Sequence, residues 1–148
     1  MFPRRAVLAF LCAALIPGMA LADKPMIHAD HGVAIGGYDT VAYFTEGRPV
    51  KGDSRYSVMW KGAVWLFASA EHRDLFEMDP RHYAPRFGGY CAYGMARGRA
   101  VSSSPETWVI RDERLYLINN PGVAERWIAD PRHEIAEAVA HWPGALRN

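Results

Sequence analysis

Between residues 56 and 67 apolar side chains alternate with others. Tyr56, Val58 and Trp60 are separated by Ser57 and Met59, and Val64, Leu66 and Phe67 follow Lys61-Gly62. A period of two predicts strands, and the two-residue Lys61-Gly62 loop suits a hairpin. The period then changes. Ser69 is placed as an N-cap with His72 at N3, which predicts a helix over 70–78 with Leu75 and Phe76 facing inward and Asp79-Pro80 ending it. Upstream, Gly32–Ile35 is a short apolar piece, Gly36-Gly37 turns the chain, and Tyr38, Val41 and Ala42 recur at helical spacing. Residues 47–53 read as loop, and Tyr83–Gly89 as irregular.

Further on, Tyr90–Ala96 reads as a helical turn and Arg97–Pro105 as loop. Trp108-Val109-Ile110, a tight turn over Arg111–Arg114 and Leu115–Ile118 predict a second hairpin. Asn120-Pro121 opens a helix to about Ala129. Asp130-Pro131 opens another, with Ile135, Val139 and Trp142 expected on the core side at i, i+4 and i+7. Asp-Pro-Arg-His occurs at both 79–82 and 130–133, which reads as repeated helix-start chemistry rather than a duplication. Two hairpins interleaved with helices predict an α+β fold, a small antiparallel sheet of two β-hairpins with helices packed on it.

The first residues stand apart from this pattern. Arg4-Arg5 precedes an apolar run from Ala6 to Ile16, Pro17-Gly18 breaks it, and Ala20-Leu21-Ala22 is a small-x-small site. This is the layout of a secretory signal peptide over 1–22, and the run is shorter than the ~20 residues a bilayer span needs. The expected mature chain, 23–148, is one domain with its core at about 32–142, soluble and periplasmic or secreted. Arg4-Arg5 also fits a twin-arginine export signal, although supplying the positive n-region is the simpler role. Without Arg4 and Arg5 the 17 Lys and Arg fall to 15, against 16 Asp and Glu. So even a balance predicts neither nucleic-acid nor membrane-surface binding. Cys12 lies in the signal segment, which leaves Cys91 without a disulfide partner in an oxidising compartment.

Several segments together resemble the stand-alone, exported YHS-domain proteins. They are Gly36-Gly37-Tyr38-Asp39, Val41-Ala42-Tyr43-Phe44, Trp60–Phe67, Phe76 with Asp79-Pro80, Tyr83-Ala84-Pro85, and Gly88-Gly89-Tyr90-Cys91-Ala92-Tyr93. The resemblance runs from about Gly32 to the last helix. It implies kinship with domains of metal-handling proteins, in which a Phe-Cys-Ser-x-x-Cys-x-x-x-Phe segment supplies thiolate ligands. Here that frame reads Phe67-Ala68-Ser69-Ala70-Glu71-His72-Arg73-Asp74-Leu75-Phe76, with Ala68 and His72 at the two cysteine positions.

Cys91 is the sharpest candidate for chemistry. With His72 it offers two donors to a soft metal such as copper or zinc, and Met95 adds a thioether, with Tyr90 and Tyr93 close in sequence. A second reading makes Cys91 a redox or catalytic thiol, its pKa lowered by His72 or by backbone N–H groups after Gly88-Gly89. A third makes it a small hydrophobe buried between tyrosines in a structural or interaction domain. No family signature of a cysteine enzyme is present, so no catalytic set is expected. His28-Ala29-Asp30-His31, preceded by Met26, is another copper candidate, in a lead-in expected to be mobile. Tyr38-Asp39 offers a phenol and a carboxylate for a cleft, or an Asp that caps the next helical turn. A metal ion or a small ligand is the expected partner, and a protein partner is left open.

Overall fold

The structure, a computed structural model, describes residues 22–147. The expected signal segment lies outside the described residues except for Ala22. Among the described residues no helix is long and apolar enough to cross a membrane.

The fold is α+β. Strands β1 (Ala29–Asp30) and β2 (Val33–Ala34) form a short hairpin, and β3 (Asp53–Trp60) and β4 (Ala63–Phe67) a longer one. Their sheet has the order β1-β2-β4-β3, with β2 running parallel to β4. The β3–β4 turn is Lys61 at φ 48° and Gly62 at φ 78°, the left-handed pair a two-residue hairpin needs. Strands β5 (Ser104–Arg111) and β6 (Arg114–Ile118) form the second predicted hairpin, turning through Asp112 and Glu113. The two hairpins stand in separate sheets rather than one.

Among the described residues six α-helices surround them: α1 (Ala42–Thr45), α2 (Ala70–Met78), α3 (Pro80–Tyr83), α4 (Ala92–Met95), α5 (Pro121–Ala129) and α6 (Pro131–His141). Four are capped by a side chain. Ser69 accepts from the His72 amide, Asp79 from His82, Asn120 from Val123 and Asp130 from His133. The two Asp-Pro-Arg-His repeats therefore do the same local job, with Asp as cap and Pro in the first turn.

Strand β6 divides the interior. Leu115 and Leu117 point into one apolar cluster with Ile35, Tyr43, Trp65, Phe67 and Phe76. Tyr116 and Ile118 point the other way, toward Phe87, Tyr90, Cys91, Met95 and Trp127. A strand buried on both faces is apolar throughout, so its sequence shows no alternation. On β4 the inward row is Ala63, Trp65 and Phe67, with Val64 and Leu66 only half-buried.

Two expectations are corrected. Val139 is 50% exposed, while Glu134 and Ala138 are buried on the inner face of α6. Arg97 makes this possible, because it binds Glu134 through two hydrogen bonds of 2.8 and 3.1 Å and lets a charged residue face inward. The lead-in is also docked rather than loose. The Lys24 amide donates to Leu146, its ammonium to the Ala100 carbonyl, the Tyr90 hydroxyl to Pro25, and the His28 amide to Gly88. Ile27 is buried under this strap. Gly88 allows the crossing, since a Cβ there would sit 1.9 Å from the Met26 carbonyl oxygen.

Candidate functional site

Cys91 is 1% exposed and precedes α4, packed in the cluster that holds Tyr90, Met95, Tyr116 and Trp127. Its amide donates to the Val101 carbonyl at 3.0 Å, and its thiol takes no part in the side-chain hydrogen bonds among the described residues. Gly88 and Gly89 serve close packing: the first passes the lead-in, and a Cβ on the second would lie 2.3 Å from Ile35 Cδ1. Met95, fully buried, shares the cluster, so one thiol and one thioether lie in the same core.

His72 is elsewhere. Its Nδ1 lies 2.6 Å from Asp39 Oδ2, and its Nε2 lies 3.2 Å from Thr45 Oγ1. A carboxylate oxygen only accepts, so Nδ1 donates in this contact. Asp39 is fully buried, and it also accepts from the Val41 and Ala42 amides through Oδ1 and from the Ala68 amide through Oδ2. It therefore ties the start of α1, the end of β4 and α2 to one carboxylate. Residues 68 and 72 of the Phe67–Phe76 frame do converge, but on this carboxylate. Both ring nitrogens of His72 are engaged, and its side chain is 14% exposed. Among the described residues no group of three or more His, Cys, Asp or Glu is arranged to hold a metal ion.

The other candidates fall into separate places. Tyr38 turns away from Asp39 and donates from its hydroxyl to Glu106 at 2.9 Å, a bond that raises its pKa. The Arg97 guanidinium lies 3.3 Å over the Tyr93 ring. His28 rests on Tyr90, ring centres 5.1 Å apart, and burial lowers its pKa against the opposing pull of Asp30. His28 and Asp30 also line a small cleft of about 100 Å³. His31 is exposed, 3.6 Å from Asp30.

Sequence reasoning missed a second, larger cleft. A cleft of about 400 Å³ opens between the lead-in, the β3–β4 turn, α3, the Arg86–Gly89 segment, the start of β6 and the residue after α6. Met26 and Ile27 form one wall, Ala84 and Pro85 another, and Trp60, Phe87 and Trp142 supply aromatic surface. Lys61, Arg81, Arg86 and Arg114 converge on it from four separate segments, and among the described residues no carboxylate lines it. Among the described residues none of these four cations makes an ion pair. Asp112, in the β5–β6 turn, faces Arg111 instead, at 3.7 Å. The Lys61 ammonium lies 4.8 Å over Trp60 and the Arg86 guanidinium 5.6 Å over Phe87. Burial raises the pKa of Tyr116, Arg86, Arg114 and Arg111 pull it down, and the Asp112 carboxylate opposes them.

Thr45, His72 and Asp39 have the hydroxyl–imidazole–carboxylate order of a nucleophilic site. Neither cleft reaches them, the Thr45 hydroxyl is also 3.2 Å from the Val41 carbonyl of its own helix, and Asp39 is saturated by backbone donors. The arrangement joins elements together. No family model, no curated protein and no solved structure matches the chain.

Proposed function

We propose that the protein is an exported YHS-type accessory protein that binds a small anionic ligand in the basic cleft, without catalysing a reaction on it. One observation carries this reading: four cations from four segments face a shared concavity that no carboxylate lines among the described residues. Like charges held together without partners repel, by about 1 kcal/mol per close pair in water. That cost is offset when an anion sits among them, and each charge-assisted hydrogen bond then adds roughly 1.5–3 kcal/mol. Concave, partly apolar surfaces with a few convergent polar groups are the common form of small-molecule sites.

The soft-metal reading at Cys91 with His72 has less support, because His72 spends both ring nitrogens on Asp39 and Thr45. The redox reading has less as well, since the thiol is buried and its own amide bonds Val101. Calorimetric titration of the purified protein with pyrophosphate is the test. The expected outcome is one saturable site whose affinity falls about tenfold in Arg86→Gln and again in Arg114→Gln, close to 1.4 kcal/mol each. Parallel titration with Cu(I) is expected to give no stoichiometric site. Silence with pyrophosphate, or copper binding lost in both Cys91→Ala and His72→Ala, would overturn the proposal.

A further inference from the structure

We infer that the ligand of the basic cleft is a flat aromatic molecule carrying at least two negative charges. This rests on the anion-binding reading and narrows it to a chemical class. Three features of the cleft point to it.

The first is size. At about 400 Å³ the cleft falls within the roughly 300–1,000 Å³ typical of sites for organic ligands. A bare inorganic anion would leave most of it empty. The second is the wall. Trp60 and Trp142 line the cleft and are only half-buried, while Phe87 is buried against Trp142. Phe87 and Trp142 meet edge to face, ring centres 6.2 Å apart. Open indole surface favours a planar guest that can stack or present an edge, and such pairs contribute beyond simple burial. The third is the distribution of charge. Lys61 lies against the Trp60 ring and Arg86 against the buried Phe87 ring, so two of the cations are seated on aromatic rings of the lining. A single negative charge would leave most of the four cations without a counterion, whereas a guest with two charges meets cations from more than one of the segments that line the cleft.

The class separates cleanly from its neighbours. A cationic arene is repelled by the charge. A flexible chain with the same two charges loses the stacking and gives up rotational freedom on binding. An inorganic anion meets the cations but not the rings.

The test is equilibrium titration of the purified protein with four probes: naphthalene-1,5-disulfonate, hexane-1,6-disulfonate, pyrophosphate and 1-naphthylmethylammonium. The aromatic disulfonate is expected to bind at least about tenfold tighter than the hexane disulfonate or pyrophosphate, with no binding of the cation. Trp142→Leu and, separately, Trp60→Leu are expected to bring the ratio of arene to pyrophosphate affinity down to about one. Unfolding midpoints recorded on both variants identify any that is misfolded, and the other then decides. If pyrophosphate and the hexane disulfonate bind as tightly as the arene, the aromatic inference fails and the anion site stands. If no anion binds, both fail. If the cation binds as well as the arene, the cleft is apolar in character and the inference fails.

Discussion

Asp39 and the four cations of the cleft place charge in the same small domain in opposite ways. Asp39 has no exposure and accepts hydrogen bonds from Val41, Ala42, Ala68 and His72. Burying a carboxylate is expensive unless every lone pair is used, and here they are used to join three segments. Lys61, Arg81 and Arg114 are exposed, Arg86 half-buried, and no ion pair among the described residues engages any of the four. Near water their mutual repulsion is small, so they need no partner in order to fold. A saturated charge belongs to the architecture. An unsaturated cluster facing a cavity is available to something else.

The comparison is broken most severely at Asp39. Asp39→Ala removes an acceptor from four donors at once and is expected to destabilise the fold by about 3–5 kcal/mol. Pyrophosphate affinity of the molecules that remain folded should not change. Urea unfolding beside titration checks both halves, and an affinity that tracked stability would merge two regions described here as separate.

Next in size is Gly88, which belongs to both architecture and cleft. In Gly88→Ala the added Cβ overlaps the Met26 carbonyl oxygen at a residue with φ +62°. A loss of about 2–3 kcal/mol is expected, expressed as release of the lead-in. Limited proteolysis should then cut near residues 22–28 at denaturant levels that leave the rest protected. Anion affinity should fall as well, because Met26 and Ile27 are a wall of the cleft.

Much of the saturated region was legible. Ser69 and His72 marked the start of α2 and Lys61-Gly62 announced its hairpin, because each is a local rule with a local signature. Asp39 was open between a cleft carboxylate and a cap, and it accepts from the Val41 and Ala42 amides ahead of α1. Which hairpins share a sheet was not legible, since long-range pairing leaves no mark on an apolar run such as Leu115–Ile118. Nor was the true inner face of α6, where Glu134 is tolerated only because Arg97, far away in sequence, reaches it. The cleft was hidden for another reason. An even charge balance over the whole chain averages away four basic residues spread from 61 to 114. The signal that was present is adjacency of cation and ring, Trp60-Lys61 and Arg86-Phe87, in segments whose turns bring them together.

Cys91 sorts with the architecture. Its thiol is expected to react with iodoacetamide only at the rate of global unfolding, and Cys91→Ser to cost about 1–3 kcal/mol for burying a hydroxyl. Pyrophosphate binding should be unchanged, and alkylation of the native protein would place Cys91 among available groups instead.

The smallest effect concerns pH. Burial lowers the pKa of His28 from 6.5, with Asp30 opposing. The unfolded chain therefore takes up this proton first as pH falls. The contribution is fully present above about 6.5 and is lost as pH drops through that value toward the folded pKa. Unfolding midpoints of the wild type should decline modestly from pH 7 to 5, and those of His28→Gln should decline less. Equal slopes would remove His28 from the account.

The most direct measurement pairs two readouts on the Arg86→Gln/Arg114→Gln protein, its unfolding midpoint and its affinity for pyrophosphate. The account predicts an unchanged or slightly higher midpoint, within about 0.5 kcal/mol of wild type, and a loss of affinity near a hundredfold. A variant that unfolds more easily and binds as well as the parent would contradict it, because those guanidiniums would then be holding the fold together rather than waiting for a ligand.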